Sequence, residues 1–280
     1  MAAHLVFGLL WSVNLAWAAT PGEIQNYFKT QLSSSSEVVL SSSQAYITEI
    51  KQRWNAYDPP SFVVGVKPAT ANDVRYASSN SIPFMGTGGG HGYTTTTSAL
   101  KNGINIDLSG FKEVSIDSAA SIMTIGGAVT FEEVLNPVSN TLSETGSCSC
   151  VGMVGATIGG GIGVHQGLHG LIIDALQSVT VVTGNGDVVN ASLSENSDMF
   201  WGIRGAGQNF GLITSATYKL HEQTNLGQAL NGDFLSPVSA NATIFNALKS
   251  FTRNQPDAFA VTSAIQYSHT LNAVSLRSQC

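Results

Sequence analysis

The run Thr87-Gly88-Gly89-Gly90-His91-Gly92 constrains this chain more than any other stretch. Its four glycines flank a single histidine, directly after the apolar run Ile82-Pro83-Phe84-Met85. Glycine has no Cβ, so such a run lets the backbone turn tightly and bring its N–H groups against something large and anionic. A phosphate-bearing cofactor fits that description, with His91 a nucleophile inside the cradle. A glycine-rich turn between two strands, with His91 on the surface, fits the hexapeptide equally well. The rest of the chain has to decide.

A second stretch of the same kind runs from Gly152 to Gly163, with glycine at 152, 155, 159, 160, 161 and 163. So much glycine argues against an ordinary helix there. Commoner fingerprints are excluded. Gln166 stands where Gly161 and Gly163 would need the last glycine of G-x-G-x-x-G, Phe210 does the same after Gly205 and Gly207, and G-x-x-x-x-G-K-[ST] is absent. His165 and His169 form the only H-x-x-x-H pair among the six histidines. Glycines 163, 167 and 170 make a poor helix around that pair and no glutamate lies between, so zinc is not expected.

Composition narrows the partners. The chain has 280 residues, 43% of them hydrophobic, enough for a large core or two ordinary ones. A net charge of −6 with only 12 Lys+Arg leaves no basic stripe for nucleic acid, and an anionic membrane surface is an equally poor partner. Charged residues make up 11%, against about 25% in ordinary globular proteins, so Ser, Thr, Asn and sugar must cover much of the surface. Residues 1–18 read as a secretory signal: Leu5 to Trp17 is mostly apolar but too short to span a bilayer, and Ala16-Trp17-Ala18 offers a cleavage site. A buried N-terminal helix is the alternative. The sequons Asn190-Ala191-Ser192 and Asn241-Ala242-Thr243 suit a secreted protein. Three cysteines, Cys148, Cys150 and Cys280, leave at least one unpaired, and a bond between Cys148 and Cys150 would be strained.

Elements alternate along the chain. Residues 19–57 read as a polar lead-in, extended or partly helical. Phe62–Val64 is strand-like, and Thr70 caps a helix to about Ser79 with Asp73 in its first turn. Strands are expected at 82–85, 104–107 and 121–125. Thr130-Phe131-Glu132-Glu133 has capping-box form, opening a helix that Pro137 keeps short. Runs 179–183 and 187–189 flank Gly184-Asn185-Gly186 as a hairpin. Ser197 is expected to cap a short helix, and a strand runs from 209 to about 220. A strand at 229–234, a helix at 241–251 and a strand at 258–267 begin a second α+β unit.

Taken in order, these residues carry a resemblance. The series runs Pro68-Ala69-Thr70, Thr87–Gly92, Ile104-Asn105-Ile106-Asp107-Leu108, Cys148-Ser149-Cys150-Val151-Gly152 and Gly159–Gly163. It continues through His169-Gly170-Leu171-Ile172-Ile173-Asp174 and Phe200-Trp201-Gly202-Ile203-Arg204-Gly205 to Asn209-Phe210-Gly211. It resembles the PCMH-type FAD-binding domain of the vanillyl-alcohol-oxidase superfamily, and most of all its berberine-bridge-enzyme-like branch in secreted fungal form. The resemblance implies an α+β fold: a two-subdomain FAD-binding domain at 58–222, followed by an incomplete α+β substrate domain at 223–280.

It also implies a site. The first loop, Gly88, Gly89, Gly90, His91 and Gly92, would wrap the FAD pyrophosphate, with His91 bonded to the flavin 8α-methyl carbon. The second loop would contribute Gly152, Gly155, Gly160, Gly161 and Gly163, with Asp174 and Ile213 as further FAD neighbours. Bicovalent members carry a cysteine three residues before the Val of the second loop's Val-Gly, which falls on Cys148. A plain buried thiol is the alternative for that residue. Two tethers hold the ring and make the flavin a stronger oxidant, while the redox chemistry is the cofactor's own. The reaction implied is hydride abstraction from a small molecule (alcohol, sugar or secondary metabolite), with O₂ reoxidising the flavin. A flavin-binding remnant without turnover and a secreted non-enzymatic protein are the alternatives. Against the family pattern, the helix at Asp73–Arg75 is about one turn short. The family also continues past Cys280 to complete the substrate domain and supply the catalytic base, so no base is named.

Overall fold

The computed structural model describes residues 20–78, 82–135, 137–138, 145–228 and 230–279; the expected signal segment, Ser79 and Cys280 lie outside them. The first unit contains α1 (Pro21–Gln31), β1 (Glu37–Leu40), α2 (Ala45–Glu49), β2 (Phe62–Lys67), α3 (Ala71–Ser78), β3 (Phe84–Thr87) and β4 (Gly103–Asp107). Its sheet has the order β1-β2-β4-β3, with β1 antiparallel to β2 and the other pairs parallel. Every residue of β4 is buried, as a central parallel strand requires. The lead-in is part of this unit. Thr20 and Glu23 cap α1 reciprocally, Pro21 stands in its first turn, and Ile24 and Phe28, one turn apart, are buried. They join Val38, Val64, Val66, Val74, Ile104 and Ile106 in one core.

Thr70 and Asp73 cap α3 as the sequence suggests. Asp73 Oδ2 accepts from Thr70 N–H at 2.9 Å and from Thr70 Oγ1 at 2.7 Å. The same carboxylate also accepts from Ser33 N–H at 2.8 Å and Ser33 Oγ at 3.0 Å, tying the helix to the chain after α1. Burial pushes the Asp73 carboxyl up, but the bonds from Ser33 and Thr70 outweigh it and hold the group below its usual value. A depressed carboxyl stabilises the fold above its unfolded pKa and loses that contribution as pH falls through the folded one. Asp73→Ala is therefore expected to cost about 2 kcal/mol in urea unfolding at neutral pH. The gap to the unaltered chain should close as pH falls below about 3.9. An unchanged gap there would refute this account.

The second unit contains β5 (Val114–Asp117), β6 (Ile122–Gly126), α4 (Phe131–Leu135), α5 (Met153–Thr157), α6 (Gln166–His169), β7 (Leu176–Val182), β8 (Val188–Ser192), α7 (Ser197–Ala206) and β9 (Leu212–Lys219). Its sheet, β5-β6-β9-β7-β8, is antiparallel throughout. Met123, Ile125, Val179, Val181, Ile213 and Ala216 pack against Phe131, Met153, Phe200 and Ile203 from the helices. Tyr218 of β9 is fully buried and donates to Thr157 Oγ1 at 3.0 Å, and Thr157 in turn donates to Met153 O at 2.8 Å. That chain fixes α5 on the sheet.

Several details differ from the sequence reading. A helix, α5, does form inside the glycine stretch: residues 153–157 hold only one glycine, and Met153, Val154 and Thr157 are buried, so packing supplies what propensity lacks. Gln166–His169 likewise makes one helical turn. The cap of α7 is Asn196 rather than Ser197. Its φ of 48° is a left-handed value that Asn tolerates, and Ser197 is already helical. The 184–186 hairpin forms, with Gly186 alone at positive φ (82°) and Gly186 N–H donating to Thr183 O at 2.9 Å. This is a turn with a glycine bulge. Strand β3 begins two residues later than expected, because Pro83 has no N–H to give the ladder.

The third unit comprises β10 (Asp233–Pro237), α8 (Asn241–Phe251), β11 (Thr262–Ser268) and β12 (Ala273–Gln279), in the order β10-β12-β11. The expected strand at 229–234 lies a few residues further on, and β12, not foreseen at all, is the central strand. A bidentate pair joins Arg277 to Asp233 at 3.0 and 2.6 Å across the β10–β12 ladder. A Cβ on Gly167 would lie 2.2 Å from Asp257 O, so this unit touches the second at α6.

Candidate functional site

The first glycine loop leaves the end of β3, where Thr87 Oγ1 donates to Asn105 Oδ1 at 2.6 Å within the buried sheet. From there the two glycine stretches meet backbone to backbone. A Cβ on Gly89 would fall 2.3 Å from Gly152 N and 2.7 Å from its Cα. A Cβ on Gly152 would fall 2.7 Å from Gly89 N in return. The contact continues: a Cβ on Gly88 would meet Gly127 O at 2.9 Å, and one on Gly127 would meet Ile213 O at 2.1 Å. Gly127 N–H also donates to Thr214 O at 2.9 Å. A belt of main-chain contacts thus runs from the second loop through the first loop to β9. Gly127 was missed by the sequence reading, though the pair Gly126-Gly127 at the end of β6 was a visible signal.

Outside this belt the loops stay open. Cβ atoms on Gly92 or Gly155 would meet nothing within 4 Å. Gly90 takes φ +77° and sits under residues 51–54, a Cβ there lying 2.7 Å from Gln52 O. That cover is pinned by Asp107, fully buried at the end of β4, whose Oδ2 accepts from Lys51 N–H at 2.7 Å. Trp54 N–H donates to Gly90 O at 3.0 Å, and its ring stacks on His91 at 5.4 Å between centroids and 16° between planes. Lys51 and Trp54 are site residues that the sequence reading did not find, since nothing in a polar lead-in marks them.

Beyond α5, Gly160 (φ +125°) and Gly161 (φ +76°) reverse the chain, and their carbonyls accept from Ile173 at 3.0 Å and Ile172 at 2.9 Å. Gly163 bridges to Gly146. Asp174 closes the far side: Oδ2 accepts from Leu171 N–H at 2.9 Å, and Oδ1 lies 3.3 Å from Arg204. In this arrangement Asp174 shapes the loop that clasps the second glycine stretch.

Cys148 is exposed, which removes the alternative of a plain buried thiol. Its turn leads directly into Val151-Gly152, so Cys148 and His91 flank the same Gly89–Gly152 contact from the two loops that form it. Lys51 lies near both loops: its Cε would be 3.6 Å from a Cβ on Gly90, and its charge slightly offsets the upward push that the hydrogen bond to Cys148 and burial give the Cys150 thiol.

A histidine cluster borders the second loop. His169 and His221 stack at 4.1 Å, and His165 Nδ1 and His169 Nε2 are buried without a hydrogen-bond partner among the described residues. Burial first, and then His169, hold His165 below its usual pKa; burial, His169 and Lys219 do the same to His221. Stacked rings present faces rather than converging lone pairs, and no group of three His, Cys, Asp or Glu suited to a metal occurs among the described residues. An open double glycine loop beside a lysine and orphaned imidazole nitrogens fits a large, polar, anionic cofactor such as FAD.

Comparison with known proteins agrees. A family model described as an FAD binding domain matches residues 66–192. The FAD-linked oxidoreductase azaL of Aspergillus niger is 45% identical over 265 residues, covering 92% of this chain and 56% of that protein. Among solved structures, 6-hydroxy-D-nicotine oxidase from Arthrobacter nicotinovorans matches with a TM-score of 0.76 and 25% identity, over 89% of this chain and 55% of that one. Glucooligosaccharide oxidase from Acremonium strictum, described with a 6-S-cysteinyl, 8α-N1-histidyl FAD, has the same fold at a TM-score of 0.72 and 21% identity, over 91% and 54%. The chain spans about half the length of the curated relatives it matches. It carries an FAD binding domain, is similar in sequence to FAD-linked oxidoreductases, and shares the fold of 6-hydroxy-D-nicotine oxidase.

Proposed function

We propose that this chain holds FAD covalently and serves an oxidase that takes hydride from a small molecule and passes the electrons to O₂. The observation that carries the reading is the meeting of the two glycine loops at Gly89 and Gly152, with His91 and Cys148 on either side of it. FAD, when bound, supplies the hydride acceptor and the reaction with O₂. The protein's part is to bind and orient. The open glycines at 92 and 155 leave room for the cofactor, and Lys51 sets a positive charge beside Gly90. His91 and Cys148 would each bond the ring, while Trp54 stacks on His91 and restricts its orientation. His165 stays neutral at neutral pH and, with His169, offers nitrogen atoms to a polar group. Alcohols, sugars and secondary metabolites are the substrate classes proposed.

The same reading makes the protein secreted and glycosylated. Both sequon asparagines are exposed, Asn190 on β8 and Asn241 at the start of α8. No helix among the described residues is long and apolar enough to cross a membrane.

Expressed chain is expected to be yellow, and to remain so in the pellet after acid precipitation. Anaerobic addition of a substrate should bleach the flavin, and air should restore it with release of H₂O₂. Folded but colourless protein would overturn the flavin reading. Yellow protein that no alcohol, sugar or alkaloid bleaches would confine this chain to flavin binding.

A further inference from the structure

The turn that carries Cys148 holds a second thiol for which the flavin site has no use. Cys148 and Cys150 are both exposed, with their sulfurs 3.5 Å apart. The turn is not free to rearrange. Val151 N–H closes it on Cys148 O at 3.2 Å, and the N–H groups of Phe131 and Glu132 donate to Val151 O at 3.1 Å and Ser149 O at 3.0 Å. Those are first-turn donors of α4, which need acceptors from outside the helix. The helix therefore holds the turn in the conformation that sets the two thiols face to face.

We infer that Cys148 and Cys150 form a reversible dithiol–disulfide pair, and that the disulfide withholds Cys148 from the flavin. The second clause rests on the reading of Cys148 as a flavin anchor; the first does not. The oxidant is a small-molecule disulfide such as oxidised glutathione. Cys148, having released its proton to solvent, attacks one glutathione sulfur; the glutathione S–S bond breaks and one glutathione thiolate leaves. Cys150, deprotonated in turn, attacks the Cys148 sulfur of the mixed disulfide and expels the second glutathione thiolate. Both leaving groups take up protons. Two protein thiols are oxidised and one glutathione disulfide is reduced to two thiols. Hydrogen bonding to Cys148 pushes the Cys150 thiol up, which suits Cys148 as first attacker and Cys150 as the resolving thiol. A bond across a single intervening residue is strained, and strained disulfides are the readily reduced ones.

The test uses the full chain with Cys280→Ser, produced under flavin limitation, and equilibrated in glutathione buffers. Intact mass is read after alkylation. Both thiols should disappear together, with the mass of two hydrogen atoms lost and no lasting glutathione adduct. Cys150→Ser, a near-isosteric exchange at an exposed site, should keep a glutathione adduct on Cys148 about tenfold longer. An adduct equally persistent in both proteins would overturn the pair. FAD added to the oxidised chain should leave the Cys148 peptide unmodified until dithiothreitol is supplied. A Cys148 peptide that takes flavin while still oxidised would overturn the block. One that never takes flavin even when reduced would remove the anchor role, and with it the block, while the thiol measurement stands unaffected.

Discussion

The chain carrying both His91→Ala and Cys148→Ala is expected to lose its flavin to the supernatant on acid precipitation, whereas the unaltered chain keeps essentially all of it in the pellet. Acid unfolds the glycine loops and breaks every non-covalent contact, but it leaves carbon–nitrogen and carbon–sulfur bonds to the ring intact. Retention therefore reports bonds alone. The two residues approach the Gly89–Gly152 contact from different segments of the chain, one just past β3 and the other just before α5. Either single variant is accordingly expected to keep the flavin through the other link, with an altered absorption spectrum. Gel filtration without acid should still show yellow protein in the double variant, because the loops remain to bind FAD. Flavin held in the pellet by the double variant would refute the assignment of both anchors.

The second large effect is expected at Gly89. Its Cβ would enter Gly152 at 2.3 Å, where the obstacle is main chain and cannot rotate aside. Neither partner can retreat. Gly152 is held by Met153 N–H on Val129 O at 2.8 Å and by Phe131 N–H on Val151 O at 3.1 Å, while β3 is locked into its ladder with β4. Gly89→Ala should cost about 3 kcal/mol in chemical unfolding, at the upper end for overpacking, and abolish flavin binding. Gly92→Ala is the control. It adds the same methyl where nothing lies within 4 Å, and should change stability by less than about 0.5 kcal/mol. Equal stability of the Gly89 variant and the unaltered chain would show that the two loops do not meet as described.

How legible the protein is in its sequence depends on the range of the interaction. Local devices are plain: the Thr70–Asp73 and Thr130–Glu133 caps, the hairpin around Gly186 and the helix Asn241–Phe251 all follow from residues a few positions apart. Elements fixed by distant partners are not. Strand β1 exists because it pairs with β2, and β12 because it lies between β10 and β11; neither segment alternates clearly enough to announce itself. In the site, the glycines stand out because glycine is scarce where a side chain would fit. Trp54 and Lys51 do not, because their role comes from Asp107, which draws their segment over the first loop from 56 positions away in sequence. The cap of α7 failed for a subtler reason. Asn196 and Ser197 are both good capping residues by type, but Asn196 occupies the N-cap position in a left-handed conformation and its side chain makes no cap hydrogen bond.

Along the belt from Gly152 through Gly89, Gly88 and Gly127 to Ile213 the two sheets meet through peptide atoms, while Val182 and Leu212 join them beside it through side chains. The belt itself has no rotamers with which to absorb a change, so its spacing responds to side-chain exchange only through the packing beside it. At the belt the separation of the two sheets is set by atomic radii; beside it, Val182 and Leu212 make it a matter of residue choice. Sequence variation is thereby kept off the belt and left to the surfaces beside it, where side chains set the fit.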